Sequence, residues 1–146
     1  MLMNRVGIDT NVLIYAIDKE SDFYRAALKT LASLSGFGTV CWQNLTEFYA
    51  VITDKKRVTH PLTSQKAIKE MDSLLNKYSL AIIGPNIKTK EIWFDILKTR
   101  KIKGQSVHDT FLSATLISNG INMLITENPK DFSGITDLKT ETLNLI

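Results

Sequence analysis

Short apolar runs alternate along this chain with longer stretches in which apolar residues recur at helical spacing. This alternation limits the possible folds, because a helix between two strands supplies the crossover that a parallel connection requires. We therefore predict an α/β fold, a three-layer α/β/α sandwich around a mainly parallel sheet of four or five strands. Ligand sites in such sheets lie beyond the carboxyl ends of the strands.

The predicted elements follow one another with short connections. The strands are 5–9 (RVGID), 39–42 (TVCW), 80–83 (LAII) and 121–126 (INMLIT), and 138–143 is compatible with a fifth strand at an edge. The helices are 11–17, 21–34, 44–55, 63–78, 89–101 and 108–119. Since the 146 residues contain no repeat and no linker, we expect residues 1–146 to form a single domain.

Acidic residues cluster where the predicted strands end. Asp9 closes the first strand, and Glu47 lies in the first turn of the helix after the second. Asp109 lies in the first turn of the helix that precedes the INMLIT strand, and Asn128 and Asp131 follow that strand. Because the carboxyl ends of parallel strands share one edge of the sheet, we expect these side chains to meet there.

Helix capping offers a structural interpretation of the same acids. Segments 44–47 and 106–109 have the spacing of a capping box, and Asp9 or Asn11 could cap the first helix. Capping does not explain why three carboxylates should meet, since they repel one another and raise each other's pKa values. A divalent cation such as Mg²⁺ or Mn²⁺, which prefers hard oxygen ligands, removes that objection. Such an ion activates water and neutralises charge in phosphodiester hydrolysis.

The charge distribution is compatible with a polyanionic substrate. The net charge is +3, but residues 54–103 contain 12 Lys or Arg against 5 Asp or Glu. A basic face beside an acidic pocket suits a nucleic acid, although lysines that only solvate helix surfaces would give the same counts.

Nothing in the sequence predicts export or membrane insertion. No apolar run approaches the roughly 18 residues of a membrane span, and polar residues interrupt the N-terminal segment MLMNRVGIDT. The lone Cys41 can form neither an internal disulfide nor a zinc site and is expected to be a small buried hydrophobe. We therefore expect a cytoplasmic protein.

Four short motifs occur in a characteristic order: DTN at 9–11, NLTEF at 44–48, HD at 108–109 and TENPKDF at 126–132. In this order and spacing they resemble the motifs of PIN domains, and specifically of VapC-like toxin ribonucleases. One departure is Asn128, which stands where the family often has Asp. An Asn still offers a carbonyl oxygen to a metal but carries no charge.

The resemblance implies a metal-dependent endoribonuclease that uses Mg²⁺ or Mn²⁺. Asp9, Glu47 and Asp109 would be its catalytic and metal-binding acids. Asn128 would be a supporting ligand, with Asp131 as the second choice and Glu127 as a further helper.

Two threonines next to these acids are expected to support them. Thr10 and Thr126 could hydrogen-bond the carboxylates from behind, although ordinary turn chemistry would also account for them. Trp42 and Trp93 are expected to be core residues rather than platforms for stacking bases.

The same resemblance implies partners. VapC-like proteins are usually homodimers, each neutralised by a small cognate antitoxin, and their substrates are RNAs. The main alternative is a catalytically inactive PIN-type module that binds RNA or protein. A small α/β phosphotransfer protein would need an acidic pair or an Asp-x-Asp nucleophile near the first strand, where this chain has Asp-Thr-Asn. A P-loop protein is excluded because the Gly-Lys-Ser/Thr loop does not occur.

Overall fold

The structure is a computed structural model that describes residues 4–100 and 106–143. Its strands are β1 (Val6–Ile8), β2 (Gly38–Cys41), β3 (Ala81–Ile83), β4 (Met123–Ile125) and β5 (Lys139–Glu141). Its helices are α1 (Thr10–Tyr15), α2 (Tyr24–Ser33), α3 (Trp42–Ile52), α4 (Ser64–Lys77), α5 (Thr89–Arg100) and α6 (Val107–Ser118). A 3-10 helix, Pro129–Phe132, follows β4. Every predicted element is present with ends shifted by a few residues, and Lys101, the predicted last residue of α5, lies outside the described residues.

The strands form one sheet in the order β3-β2-β1-β4-β5, and all four neighbouring pairs are parallel. The segment compatible with an edge strand is β5, which lies at one edge. The chain builds β1, β2 and β3 in one direction and then crosses to add β4 and β5 on the other side of β1. The strand order therefore reverses between β1 and β4, which is where such sheets open a crevice for ligands.

Side chains that alternate along the strands bury both faces of the sheet. Ile8, Val40 and Ile125 belong to one hydrophobic cluster, which they share with α1, α2, α3 and α4. Their strand neighbours Cys41 and Leu124 belong to a second cluster, which is shared with α6 and the segment after β4. This two-residue period is that of a pleated strand covered on both sides. The predicted three-layer α/β/α architecture is confirmed.

The ends of the helices follow local sequence signals in some places and depart from them in others. Thr63 caps α4 as expected, since its side chain accepts a hydrogen bond from the Lys66 amide at 3.3 Å. Gly120 follows α6 with a φ of 78°, a conformation that glycine adopts at little cost. In the described part of the chain, no helix is long and apolar enough to cross a membrane.

Candidate active site

Asp9 lies at the crevice where the strand order reverses. It directly follows β1, and its backbone amide donates to the Ile125 carbonyl at the end of β4, at 3.0 Å. The residue is also the N-cap of α1, because its Oδ1 accepts from the Thr10 amide at 2.8 Å. Asn11, the alternative cap, lies inside the helix. The first turn of α1 and the ends of two adjacent strands thus fix the position of this carboxylate.

Thr126 holds the other oxygen of Asp9. Its hydroxyl is fully buried and donates to Asp9 Oδ2 at 2.7 Å. Thr126 Oγ1 itself accepts hydrogen bonds from Asn11 Nδ2 at 3.3 Å and from the Asn128 backbone amide at 3.1 Å. Thr126 is therefore placed as expected of a supporting residue, and it links the Asp9 carboxylate to the start of the 3-10 helix.

Asn44 connects the helix that carries Glu47 to the helix that Asp9 caps. Its Oδ1 accepts from the Cys41 amide at 2.9 Å, and its Nδ2 donates to Thr10 Oγ1 at 3.1 Å. Only 2% of Asn44 is exposed. Thr10 therefore supports Asp9 through its backbone amide, while its hydroxyl accepts from Asn44. Sequence reasoning missed this role because it assigned Asn44 to the N-cap.

The predicted capping boxes do not form. Helix α3 begins at Trp42 with Cys41 as its N-cap, so Asn44 is the third helical residue and Glu47 lies in the second turn. At α6 the N-cap residue, Ser106, makes no side-chain capping hydrogen bond. Asp109 does lie in the first turn of α6, where the positive end of the helix dipole favours a carboxylate.

The carboxylates converge closely enough for their charges to raise the pKa values of Asp9 and Asp109. Burial raises the pKa of Asp9, and the charges of Glu47 and Asp131 raise it further, against the lowering effect of its hydrogen bonds from Thr126 and Thr10. This convergence from separate elements at the carboxyl edge of the sheet is what the positions of the acids predicted.

Asp109 experiences the same convergence. The pKa of Asp109 is raised to about 6. Burial is the largest cause, the charges of Asp131, Asp9 and Glu47 add to it, and the charge of His108 acts in the opposite direction. Three of the four charges that act on this group are carboxylates. Their mutual repulsion would be reduced by a bound cation.

Around the 3-10 helix, Asp131 has the more direct relation to the acids. Its charge acts on both Asp9 and Asp109, whereas the Asn128 backbone amide donates to Thr126 Oγ1, which in turn donates to Asp9. Glu127 has a structural task, since its carboxylate accepts a hydrogen bond from the Leu143 amide. The structure therefore brings a fourth carboxylate, that of Asp131, to the acids, while Glu127 is held by the chain after β5.

The donor set fits a hard divalent cation, but it is not preassembled around a point. Carboxylate oxygens are the donors that Mg²⁺ and Mn²⁺ prefer. Within residues 4–100 and 106–143, no three His, Cys, Asp or Glu side chains are arranged to hold a metal ion together. Glu47 and Asp131 are exposed, so side-chain rotation would be needed to close them on an ion.

Two further residues at the site were not recognised from the sequence. Arg100 Nη1 donates to the Asp131 carbonyl at 3.2 Å, which places a cation at the rim of the acidic cluster. Trp42 was predicted to be a core residue, and this is wrong, because 58% of it is exposed. Trp93 is half-buried, and its Nε1 donates to Thr110 Oγ1 at 3.0 Å.

Comparison with known proteins agrees with this architecture. The chain is 27% identical over 134 residues to Ribonuclease VapC24 of Mycobacterium tuberculosis, covering 90% of each chain. It is 26% identical over 115 residues to Ribonuclease VapC37 of the same species, covering 77% of this chain and 80% of the relative.

A solved structure has a similar fold. A chain of VapBC2 from Rickettsia felis, bound to a DNA fragment from the promoter, superposes with a TM-score of 0.67 at 25% identity, covering 95% of this chain and 98% of that one. The model of the PIN domain family matches residues 6–137, which include all four converging acids. This protein therefore belongs to the PIN domain family, as its motifs predicted.

Proposed function

We propose that this chain is a metal-dependent endoribonuclease and the toxin of a toxin–antitoxin pair. The observation that carries the proposal is the convergence of four carboxylates from separate elements at the crevice between β1 and β4. Asp9, Glu47 and Asp109 would be the catalytic acids, and Asp131 would join them. The names of the VapC relatives support the reaction class, since both are ribonucleases.

Asp9, Glu47, Asp109 and Asp131 would hold Mg²⁺ or Mn²⁺, with Asn128 as an uncharged donor nearby. The bound ion would supply an activated water and neutralise charge on the phosphate that is attacked. The chain's own part is to position the acids: Thr126 orients Asp9 and lowers the cost of its charge, as hydrogen bonds to a carboxylate do.

RNA would reach this site over a cationic rim. Arg100 is tied to the Asp131 carbonyl, so its remaining guanidinium donors are available to a phosphate oxygen. Residues 54–103 hold 12 Lys or Arg against 5 Asp or Glu, and such an excess favours a polyanion. The acids alone would repel RNA, so a metal and a basic rim are both needed.

The similarity to VapBC complexes extends the proposal to partners. The Rickettsia felis structure is that of VapBC2, and because VapC-like toxins are paired with a small antitoxin, we propose a small cognate antitoxin for this chain as well. We further propose that residues 1–146 act as one domain, that two copies form a homodimer, and that the protein works in the cytoplasm. The buried, reduced Cys41 is compatible with that compartment.

The proposal is tested by incubating the purified chain with a single-stranded RNA and a folded transfer RNA in Mg²⁺, in Mn²⁺ and in EDTA. We expect internal cleavage with either metal and none with the chelator. Asp9→Asn should abolish cleavage, because it removes the best-positioned carboxylate. Asp72→Asn, which changes an exposed acid on α4, should cleave normally.

The result separates an enzyme from a binding module. Binding of RNA without cleavage under every metal condition would refute the endoribonuclease and favour the inactive module. Cleavage that persists in EDTA would refute the metal. Isolation of the protein with a small neutralising partner, whose removal releases the activity, would test the toxin assignment separately.

A further inference from the structure

A cavity of about 350 Å³ opens beside the acidic cluster, between the starts of α3 and α6. Its lining includes Thr46 and His108, the residues immediately before Glu47 and Asp109. Two of the acids are therefore immediate chain neighbours of residues that line the cavity. Ligand sites typically combine a mainly apolar lining with a few polar groups, and this cavity has that character.

Trp42 forms one wall of the cavity and is strongly exposed. The indole packs over the backbone of Gly84, where an added Cβ would lie only 3.1 Å from Trp42 Cδ1. The absence of a side chain at residue 84 thus gives the ring a support, while 58% of the residue remains open to solvent. The open face of the ring offers a surface on which a nucleobase can stack.

The lining also contains a buried acceptor, on the side chain of Gln43. Gln43 Nε2 donates to the His108 carbonyl at 2.8 Å, which ties the start of α3 to the start of α6. In the described chain, Gln43 Oε1 is buried and has no hydrogen-bond partner. A buried acceptor without a partner is destabilising, so a ligand donor that reached Gln43 Oε1 would relieve that cost.

We propose that this cavity is a nucleobase subsite, in which Trp42 stacks on an unpaired RNA base next to the scissile phosphate. The inference rests on the proposed ribonuclease function and adds a specificity-determining residue to it. Every base presents a face to stack on, and the amino groups of adenine, guanine and cytosine can donate to Gln43 Oε1. The occupant is a base in single-stranded RNA, because a base within a duplex is stacked and cannot enter.

Binding is measured in an Asp109→Asn background so that the RNA stays intact. Trp93→Phe leaves Trp42 as the sole tryptophan, and its fluorescence is titrated with a short single-stranded RNA of mixed sequence or with an abasic chain of equal length. We expect quenching by the RNA and little by the abasic chain. With binding followed through a label on the RNA, Trp42→Ala should weaken affinity about 5- to 150-fold, the range for loss of one stacked base.

Two further variants control for unspecific effects. Trp42→Phe keeps an aromatic ring and should retain most of the affinity. Ile68→Ala shortens a residue that is 56% exposed on α4 and does not line the cavity, so it should bind as the parent does. Equal thermal unfolding of the variants would exclude a folding defect as the cause of any difference.

The outcomes distinguish failure of the subsite from failure of the nuclease. If the otherwise unaltered chain cleaves RNA and Trp42→Ala does so with unchanged KM and kcat, the subsite is refuted and the nuclease stands. If no cleavage occurs but base-dependent quenching of Trp42 does, the nuclease fails and the base site survives. Equal responses to RNA and abasic chain, or none to either, would refute the base site and leave the cavity to a protein segment.

Discussion

Replacing Asp109 by Asn removes one of four converging negative charges, and we expect the metal-free chain to become more stable at pH 7. Burial and the neighbouring carboxylates raise the pKa of Asp109 from 3.8 to about 6. A shift of two pKa units corresponds to about 3 kcal/mol. Asp109 is partly exposed, so screening by water reduces this cost to about half.

A second effect works against the gain. Asp109 lies in the first turn of α6, and an uncharged side chain forfeits about 0.5 kcal/mol of interaction with the helix dipole. The net expectation is a stabilisation of about 1 kcal/mol, which raises the Tm by about 2–4 °C for a chain of this size. RNA cleavage should be lost at the same time.

The assay is thermal unfolding in EDTA at pH 7 and again near pH 4, where Asp109 is protonated in the folded chain and the advantage of the variant should vanish. Asp72→Asn on α4 serves as the matched control and should leave the Tm unchanged at both pH values. A Tm that falls at pH 7 would mean that the Asp109 carboxylate stabilises the fold, and the account of a strained acidic cluster would be wrong.

Three other predictions concern the same cluster. Because the folded-state pKa values of Asp9 and Asp109 are raised, their contribution to the metal-free stability should be fully present below about pH 4 and should be lost as the pH rises towards 6. Urea unfolding across this range, compared between the parent chain and Asp109→Asn, would check this. Thr126→Val removes the hydrogen-bond donor to Asp9 and leaves Asn11 Nδ2 and the Asn128 amide without their acceptor. It should lower the free energy of unfolding by about 2–3 kcal/mol and weaken Mn²⁺ binding, measured by calorimetry, about tenfold or more. Thr126→Ser keeps the hydroxyl and should retain both the stability and the affinity. Asp131→Asn should weaken Mn²⁺ binding more than any change at Asn128 does, and Asn128→Asp should keep or raise the affinity; a lower affinity would contradict a ligand role there.

The order of the elements could be predicted because the required information is local. The apolar runs and helical stripes identify the strands and helices, and right-handed parallel connections then limit their arrangement. The positions of Asp9 and Asp109 follow from the same reasoning, since one closes a strand and the other opens a helix. Thr126, directly after β4, was placed correctly for the same reason.

The errors occurred where the outcome depends on distant contacts. Asn44 matches a helix cap locally, but its side chain reaches Thr10, which lies far away in sequence. Trp42 has the composition of a core residue, yet the start of α3 at the carboxyl edge of the sheet leaves the ring outside the core. The choice between Asn128 and Asp131 is not an error but stays a prediction: motif position favours Asn128, and the path of the 3-10 helix brings the Asp131 charge onto two other acids.

Glu47 is the residue that best separates the structural interpretation of these acids from the functional one. Asp9 does cap a helix and Asp109 does lie at a helix start, so each has a structural reason to be acidic. Glu47 has neither, because α3 begins earlier than predicted and its carboxylate has no hydrogen-bond or ion-pair partner in the described chain. It nevertheless lies where its charge raises the pKa of both Asp9 and Asp109, which destabilises the fold. Glu47 thus lowers the stability of the fold and caps no helix. Its position therefore supports the proposal that a cation binds among these acids.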